Sequence, residues 1–196
     1  MLASGADPNV LSADGKYTPL IFVADLSMSE SYRAEMLADL LAAGACANKP
    51  SAGGDLPLHA AVRRGDRHLA RRLLQAGADI HATDGTGQTA LHIATACAAG
   101  NGRTEMLDFL LRAGANSLLQ NGAGQTALDR AGALRARTVF GDVPLRHLQA
   151  WEKQKDTLRA RFEDIHARRG PDAVQAARDR RVLAARAGPS LSLRPK

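Results

Sequence analysis

The chain has 196 residues, 45% hydrophobic but only 4% aromatic, with 26 Lys and Arg against 20 Asp and Glu for a net charge of +6. This is enough apolar material for one buried core. No run of about 18 apolar residues is present, which excludes a membrane-spanning helix, and two cysteines exclude a disulfide scaffold. The charge is unevenly placed: residues 1–130 hold 11 basic and 13 acidic side chains, whereas residues 131–196 hold 15 and 7. The body is near neutral and the tail is basic. The opening segment has neither the basic nor the apolar stretch of a secretory signal. The 38 alanines favour closely packed helices over a sheet of bulky β-branched residues.

Taken in order, the chain opens on Leu2 and Gly5, the clipped end of a helix, so a missing N-terminal portion is expected. Thr18, Pro19 and Leu20 then start a helix, Thr as cap and Pro in the first turn. A second helix ends on Leu40, Leu41 and Gly44, glycine supplying the positive φ of a helix stop. The same pair of markers returns twice, and the start marker once more. Leu56, Pro57, Leu58 and His59 precede Leu73, Leu74 and Gly77. Thr89, Ala90, Leu91 and His92 precede Leu110, Leu111 and Gly114. Thr126, Ala127, Leu128 and Asp129 open a last unit. Start markers fall 38, 33 and 37 residues apart and stop glycines 39, 33 and 37 apart, so two independent markers run in one register. Between each stop and the next start lie Asp, Asn, Gly and Ser, which is turn chemistry. Leu58, Ala61, Val62, Leu69, Leu73 and Leu74 form the stripe that neighbouring units bury.

This pattern resembles the ankyrin repeat, with its 33-residue period and T-P-L-H-x-A signature. Residues 51–83 carry it best, and the resemblance covers roughly residues 1–135. It implies an all-α solenoid of helix–turn–helix units joined by hairpin turns. The expected organisation is a repeat domain over 1–138, with units starting near 14, 51, 84 and 121. A C-terminal capping helix is expected within 139–169 and a basic Ala/Arg-rich tail over 170–196. Units one and three carry extra residues near Ser27–Arg33 and Cys97–Arg103, predicted to lengthen the turn between their helices. Asp129 replaces the signature His and Gly132 weakens the helix, so the stack ends there. The capping helix should run from residue 143 to 169, with Pro144 in its first turn and Leu145, Leu148, Trp151, Leu158, Phe162 and Ile165 on its apolar face.

No catalytic constellation is found. His59 and His92 share one repeat position, where the resemblance implies that they tie a helix start to the next turn. His68, His81, His147 and His166 are scattered without ligand spacing, so no metal and no cofactor are expected. The loops Gly85–Thr89 and Gly122–Thr126 lack the Lys and the preceding strand of a phosphate loop, and read as hairpin turns. Cys46 and Cys97 are expected at opposite ends of the helical layer, as reduced packing residues.

The resemblance implies a non-catalytic module that binds a protein on its concave hairpin and first-helix face. Its variable positions pick out Asp14, Gly15, Tyr17, Asp55, Thr86, Gln88 and Gln125, with Arg63 and Arg64 beside them. Tyr and Arg are the side chains that dominate binding hot spots. A different class of function would place the action in the tail, with Arg168, Arg169, Arg178, Arg180, Arg181 and Arg186 on nucleic acid or another acidic surface. Trp151 and Phe162 are expected in the core, which leaves no aromatic residue for base stacking in the basic stretch and weighs against that reading. The partner expected is therefore a protein, with neither nucleic acid nor membrane, and the chain itself a monomer. Arg outnumbers Lys 21 to 5, which with the alanine content suggests GC-rich bacterial coding. A bacterial cytoplasmic location is expected, or delivery as an effector that acts on a host protein.

Overall fold

A computed structural model describes residues 6–26, 28–135, 137–161 and 163–164. The chain divides into two compact units, residues 1–149 and 150–196. The first holds α1 (Pro19–Asp25), α2 (Glu30–Ala42), α3 (Pro57–Arg64), α4 (Arg67–Gln75), α5 (Ala90–Asn101), α6 (Glu105–Arg112) and α7 (Ala127–Arg135). Residues 142–161 are also helical. Extended pairing among the described residues is limited to one bridge, Thr83 to Thr89. Helices α1 with α2, α3 with α4 and α5 with α6 pack as pairs, and the first helices α1, α3, α5 and α7 stack in succession. This is the expected all-α solenoid.

The stacking follows from register. Leu20, Leu58 and Leu91 occupy one repeat position and are buried, as are Leu40, Leu73 and Leu110 at another. Each buried leucine contributes about 1.5–3 kcal/mol relative to exposure. Alanines at Ala24, Ala60, Ala61, Ala94 and Ala98 are wholly buried and let the first helices approach closely. Thr18 Oγ1 accepts from Ile21 N–H at 3.3 Å, satisfying a helix-start donor. The predicted stop glycines Gly44, Gly77 and Gly114 have φ of 89°, 88° and 97°. In the last unit Thr126 and Asp129 cap each other: Asp129 Oδ2 accepts from Thr126 N–H at 3.0 Å and Thr126 Oγ1 accepts from Asp129 N–H at 3.2 Å.

The extra residues of units one and three mostly extend helices and lengthen the turns only slightly, which corrects the expectation from sequence in part: α1 ends at Asp25 and α2 starts at Glu30, and α5 ends at Asn101 and α6 starts at Glu105, against Arg64 and Arg67 in unit two. In unit three, Cys97, Ala98, Ala99, Gly100 and Asn101 continue α5, and Gly102 closes it at φ 72°. The run is rich in alanine, the strongest helix former, and Gly100 has open space around it, so nothing locally stops the helix. In unit one the insertion adds a turn to the start of α2, which is capped by Ser29 and reaches 13 residues. That added turn carries Arg33, whose Nη2 lies 2.6 Å from Asp66 Oδ2. Asp66 Oδ1 in turn accepts from Leu69 N–H at 3.0 Å and caps α4.

Unit one of the molecule ends with the start of the last helix. His147 Nε2 lies 2.8 Å from Asp108 Oδ1 of α6, and Leu148 is 1% exposed. The apolar face expected along the whole helix is buried only at this end. Trp151 is half-buried and Leu158 is 58% exposed. Phe162 and Ile165, also expected on that face, lie outside the described side chains.

Candidate protein-binding surface

Four hairpins connect the units, and their backbones close in nearly one way. Ser12 N–H donates to Tyr17 O, Ser51 N–H to Asp55 O, Asp84 N–H to Gln88 O and Asn121 N–H to Gln125 O, at 2.8, 2.8, 2.9 and 2.9 Å. The first hairpin is one residue longer than the others. Polar side chains fix each turn from inside. Asp84 Oδ1 accepts from Thr86 N–H at 2.8 Å and Gln88 N–H at 2.9 Å. Asn121 Oδ1 accepts from Ala123 N–H at 2.9 Å and Gln125 N–H at 3.0 Å. Burial alone would raise the Asp84 pKa, but these bonds and that from the Thr86 hydroxyl outweigh it and hold the carboxyl below its usual range.

Successive hairpins touch backbone to backbone. Ala52 N–H donates to Gly15 O at 2.8 Å, and Gly122 N–H donates to Thr86 O at 3.1 Å. A Cβ on Gly122 would lie 2.5 Å from Thr86 O, and one on Gly85 would collide with Gly53 O. The tips therefore form a continuous ribbon whose spacing depends on missing side chains.

Each residue expected on the binding face has a defined place. Asp14 is exposed and accepts from Ser12 Oγ–H at 2.6 Å, a bond that lowers its pKa. Gly15 takes φ 71° in the first turn. Tyr17 is half-buried and meets Phe22 edge to face, ring centroids 6.0 Å apart. Asp55 holds Arg63 in a two-pronged ion pair, one prong at 2.8 Å from Nη1 to Oδ1 and the other from Nη2 to Oδ2. That bond raises the already high pKa of Arg63. Arg64 Nη1 donates to Asp25 O at 2.9 Å. Gln88 Nε2 donates to Thr86 Oγ1 at 2.8 Å. Tyr17, Asp55, Gln88 and Gln125 share one register position on the four hairpins. The structure joins Asp55 to Arg63 and Gln88 to Thr86. Arg168, Arg169, Arg178, Arg180, Arg181 and Arg186 lie outside the described residues.

Two histidines lock the first helices to the hairpins. His92 Nε2 lies 2.9 Å from Gln125 O, and its Nδ1 lies 2.8 Å from Thr89 Oγ1 and 3.3 Å from Thr89 N. A carbonyl can only accept, so Nε2 carries the proton and Nδ1 accepts from Thr89. His59 Nε2 likewise meets Ala82 O at 3.2 Å. Its Nδ1 is buried without a partner among the described residues, because Leu56 replaces the threonine. Burial pushes both imidazoles below their ordinary value of 6.5.

The repeated helix pairs, hairpin ribbon and histidine ties agree with a family model described as ankyrin repeats in three copies, which matches residues 26–121 and 58–139. The chain belongs to the ankyrin-repeat family. It is 42% identical over 76 residues to the neurogenic locus Notch protein of Drosophila melanogaster, covering 38% of this chain and 3% of that protein. It is 35% identical over 98 residues to the E3 ubiquitin-protein ligase KEG of Arabidopsis thaliana, covering 50% and 6%. To neurogenic locus notch homolog protein 1 of Xenopus tropicalis it is 34% identical over 103 residues, covering 47% and 4%. The chain thus spans only a few per cent of the length of these relatives. Ankyrin repeats generally mediate protein–protein interaction. No described helix is long and apolar enough to cross a membrane, and no group of three His, Cys, Asp or Glu among the described residues could hold a metal ion.

Sequence reading missed three features of the ankyrin stack. Asn9 Oδ1 accepts from Cys46 N–H at 2.6 Å while its Nδ2 donates to Gly44 O at 3.1 Å. Asn48 repeats this on Asp79 N–H and Gly77 O, both at 2.8 Å. The register of these asparagines was the available signal. The second feature is the Arg33–Asp66 pair, for which the sequence gives no local sign. The third is a groove of about 630 Å³ between α1 and α2, lined by Phe22, Tyr32 and Met36. Leu69 and Met106, the register equivalents of Met36, are buried in the later units.

Proposed function

We propose that the chain binds a protein partner through the face formed by its hairpin tips and first helices. One observation carries this reading: four stacked hairpins keep nearly the same backbone while the shared position holds Tyr17, Asp55, Gln88 and Gln125. The fold fixes the backbone there and leaves the side chains free for specificity. Arg63, half-exposed yet anchored by Asp55, and Arg64 extend the surface along α3. An arginine already held in place loses less side-chain entropy on binding. Exposed Asp14 and Thr86 add polar rim contacts.

Quantitative affinity capture on the full chain tests this. Tyr17→Ala with Gln88→Ala, and Arg63→Ala alone, should each reduce the retained partner at least tenfold. The control pair Gln75→Ala and Arg112→Ala, on the second helices α4 and α6, should not. Equal retention by all variants would place binding elsewhere.

A further inference from the structure

A cleft of about 230 Å³ opens between units two and three, where α3 turns into α4 and α5 into α6. Val62, Ala94 and Met106 form its buried apolar floor. Arg63, Arg64, Arg67 and Arg103 line it, against Glu105 as the one acidic lining residue among those described. This concentration of positive charge sits in a body whose first 130 residues carry 11 basic and 13 acidic groups. We propose that this cleft, between the turns of units two and three, receives a carboxylate-rich segment of the protein partner through Arg67 and Arg103.

Helix electrostatics account for Arg63 and Arg64, which lie in the last turn of α3, where cations complement the dipole. They do not account for the other two. Arg67 is the first residue of α4, and Arg103 directly precedes the Thr104 cap of α6. Both positions favour an acid, so each arginine is locally unfavourable there. Neither the Arg67 nor the Arg103 guanidinium has an ion pair or hydrogen-bond partner among the described residues, although Arg103 N–H donates to Asn101 Oδ1 at 2.9 Å, whereas the Arg63 and Arg64 guanidinia are engaged. Part of the lining on α5 comes from the extra length of unit three. Ala94, Cys97 and Asn101 recur at three and four residues on one face of α5, and Asn101 is helical only because α5 is extended.

Carboxylate fits the cleft better than the alternatives. Guanidinium forks pair with carboxylates through two parallel bonds, and an apolar floor strengthens such pairs by excluding water. The volume holds roughly seven waters at about 30 Å³ each, enough for acidic side chains but not for a folded element. Among the described residues the lining has no aromatic ring on which a nucleic-acid base could stack. This proposal rests on the protein-binding reading above and names the chemistry of the partner.

The test is a titration of the isotopically labelled full chain with a hexaglutamate peptide, followed through backbone amide resonances. Hexaglutamine, inorganic phosphate and a thymidine oligonucleotide serve as separate probes. Hexaglutamate should shift amides of residues 63–67 and 97–105, and hexaglutamine should not. Arg67→Glu with Arg103→Glu should weaken that local response at least tenfold, as should Arg67→Gln with Arg103→Gln if the charge reversal unfolds the chain. Arg112→Glu should leave it unchanged. Failure to shift those amides, or an unchanged response in both double variants, overturns the proposal. So does an equal response to phosphate, which would mean a generic anion site, or displacement by the oligonucleotide. Loss of partner capture by the Tyr17 and Gln88 variant, with no hexaglutamate response, would remove the cleft and leave the binding face standing.

Discussion

Arg33 Nη2 stands 2.6 Å from Asp66 Oδ2, and the two side chains are 11% and 9% exposed. The arginine comes from the turn by which unit one exceeds the repeat length, and the aspartate caps α4 of unit two. An insertion thereby became a tie between repeats. Removing one member of a buried pair leaves the other charge unsolvated, so Arg33→Ala should cost about 3–5 kcal/mol. Urea unfolding monitored by circular dichroism measures this, and a loss below about 1 kcal/mol would mean the pair behaves as a surface bridge.

His59 and His92 should make stability depend on pH. Both folded-state pKa values lie below the ordinary 6.5, because burial disfavours the cation. The unfolded chain then binds more protons in the window between the two values. Stability from these groups is fully present above about pH 6.5 and declines as pH falls below it, by at most about 1.4 kcal/mol per unit for each. Urea midpoints from pH 8 to pH 5 should show that slope. His59→Gln with His92→Gln should flatten it, since glutamine can donate to the same carbonyls without titrating; an unchanged slope would assign it to other groups.

Two glycines should respond in opposite directions to alanine. A Cβ at Gly122 would sit 2.5 Å from Thr86 O and push the third and fourth hairpins apart, whereas Gly100 has nothing within 4 Å. Gly100→Ala should stabilise by about 0.5–1 kcal/mol, the helix-propensity difference at a position inside α5. Gly122→Ala should destabilise by about 1–3 kcal/mol, typical of overpacking. Thermal melts of the pair decide both signs.

The asparagine series is incomplete. Asn9 and Asn48 each bridge to the next unit, but His81 holds the third place and makes no such bond through its side chain. His81→Asn should add bonds to Gly114 O and to the following turn and stabilise by about 1 kcal/mol. No gain in the urea midpoint would show that this junction is spaced too widely for the bridge.

The parts legible in the sequence are those carried by repetition. Thr18, Thr89 and the stop glycines recur in register, so helix starts, helix ends and the stacked leucines follow from pattern alone. The structural task of His59 and His92 comes from the ankyrin resemblance at the repeat position that they share. What repetition does not carry was read less well. The residues after Cys97 look like a turn through Gly100, Asn101 and Gly102, yet an alanine-rich helix absorbs all but the last. The apolar face expected across the last helix fails at Leu158, since spacing reports that a face exists but not what covers it. Arg67 and Arg103 are ordinary surface arginines by sequence, and only the fold brings them to one cleft.

The most direct test of the binding face is amide hydrogen exchange of the full chain with and without its captured partner. Slowed exchange is expected at the hairpins, residues 12–17, 51–55, 84–88 and 121–125, and along α1, α3 and α5. Protection confined to the second helices α2, α4 and α6, with the hairpins unchanged, would contradict it.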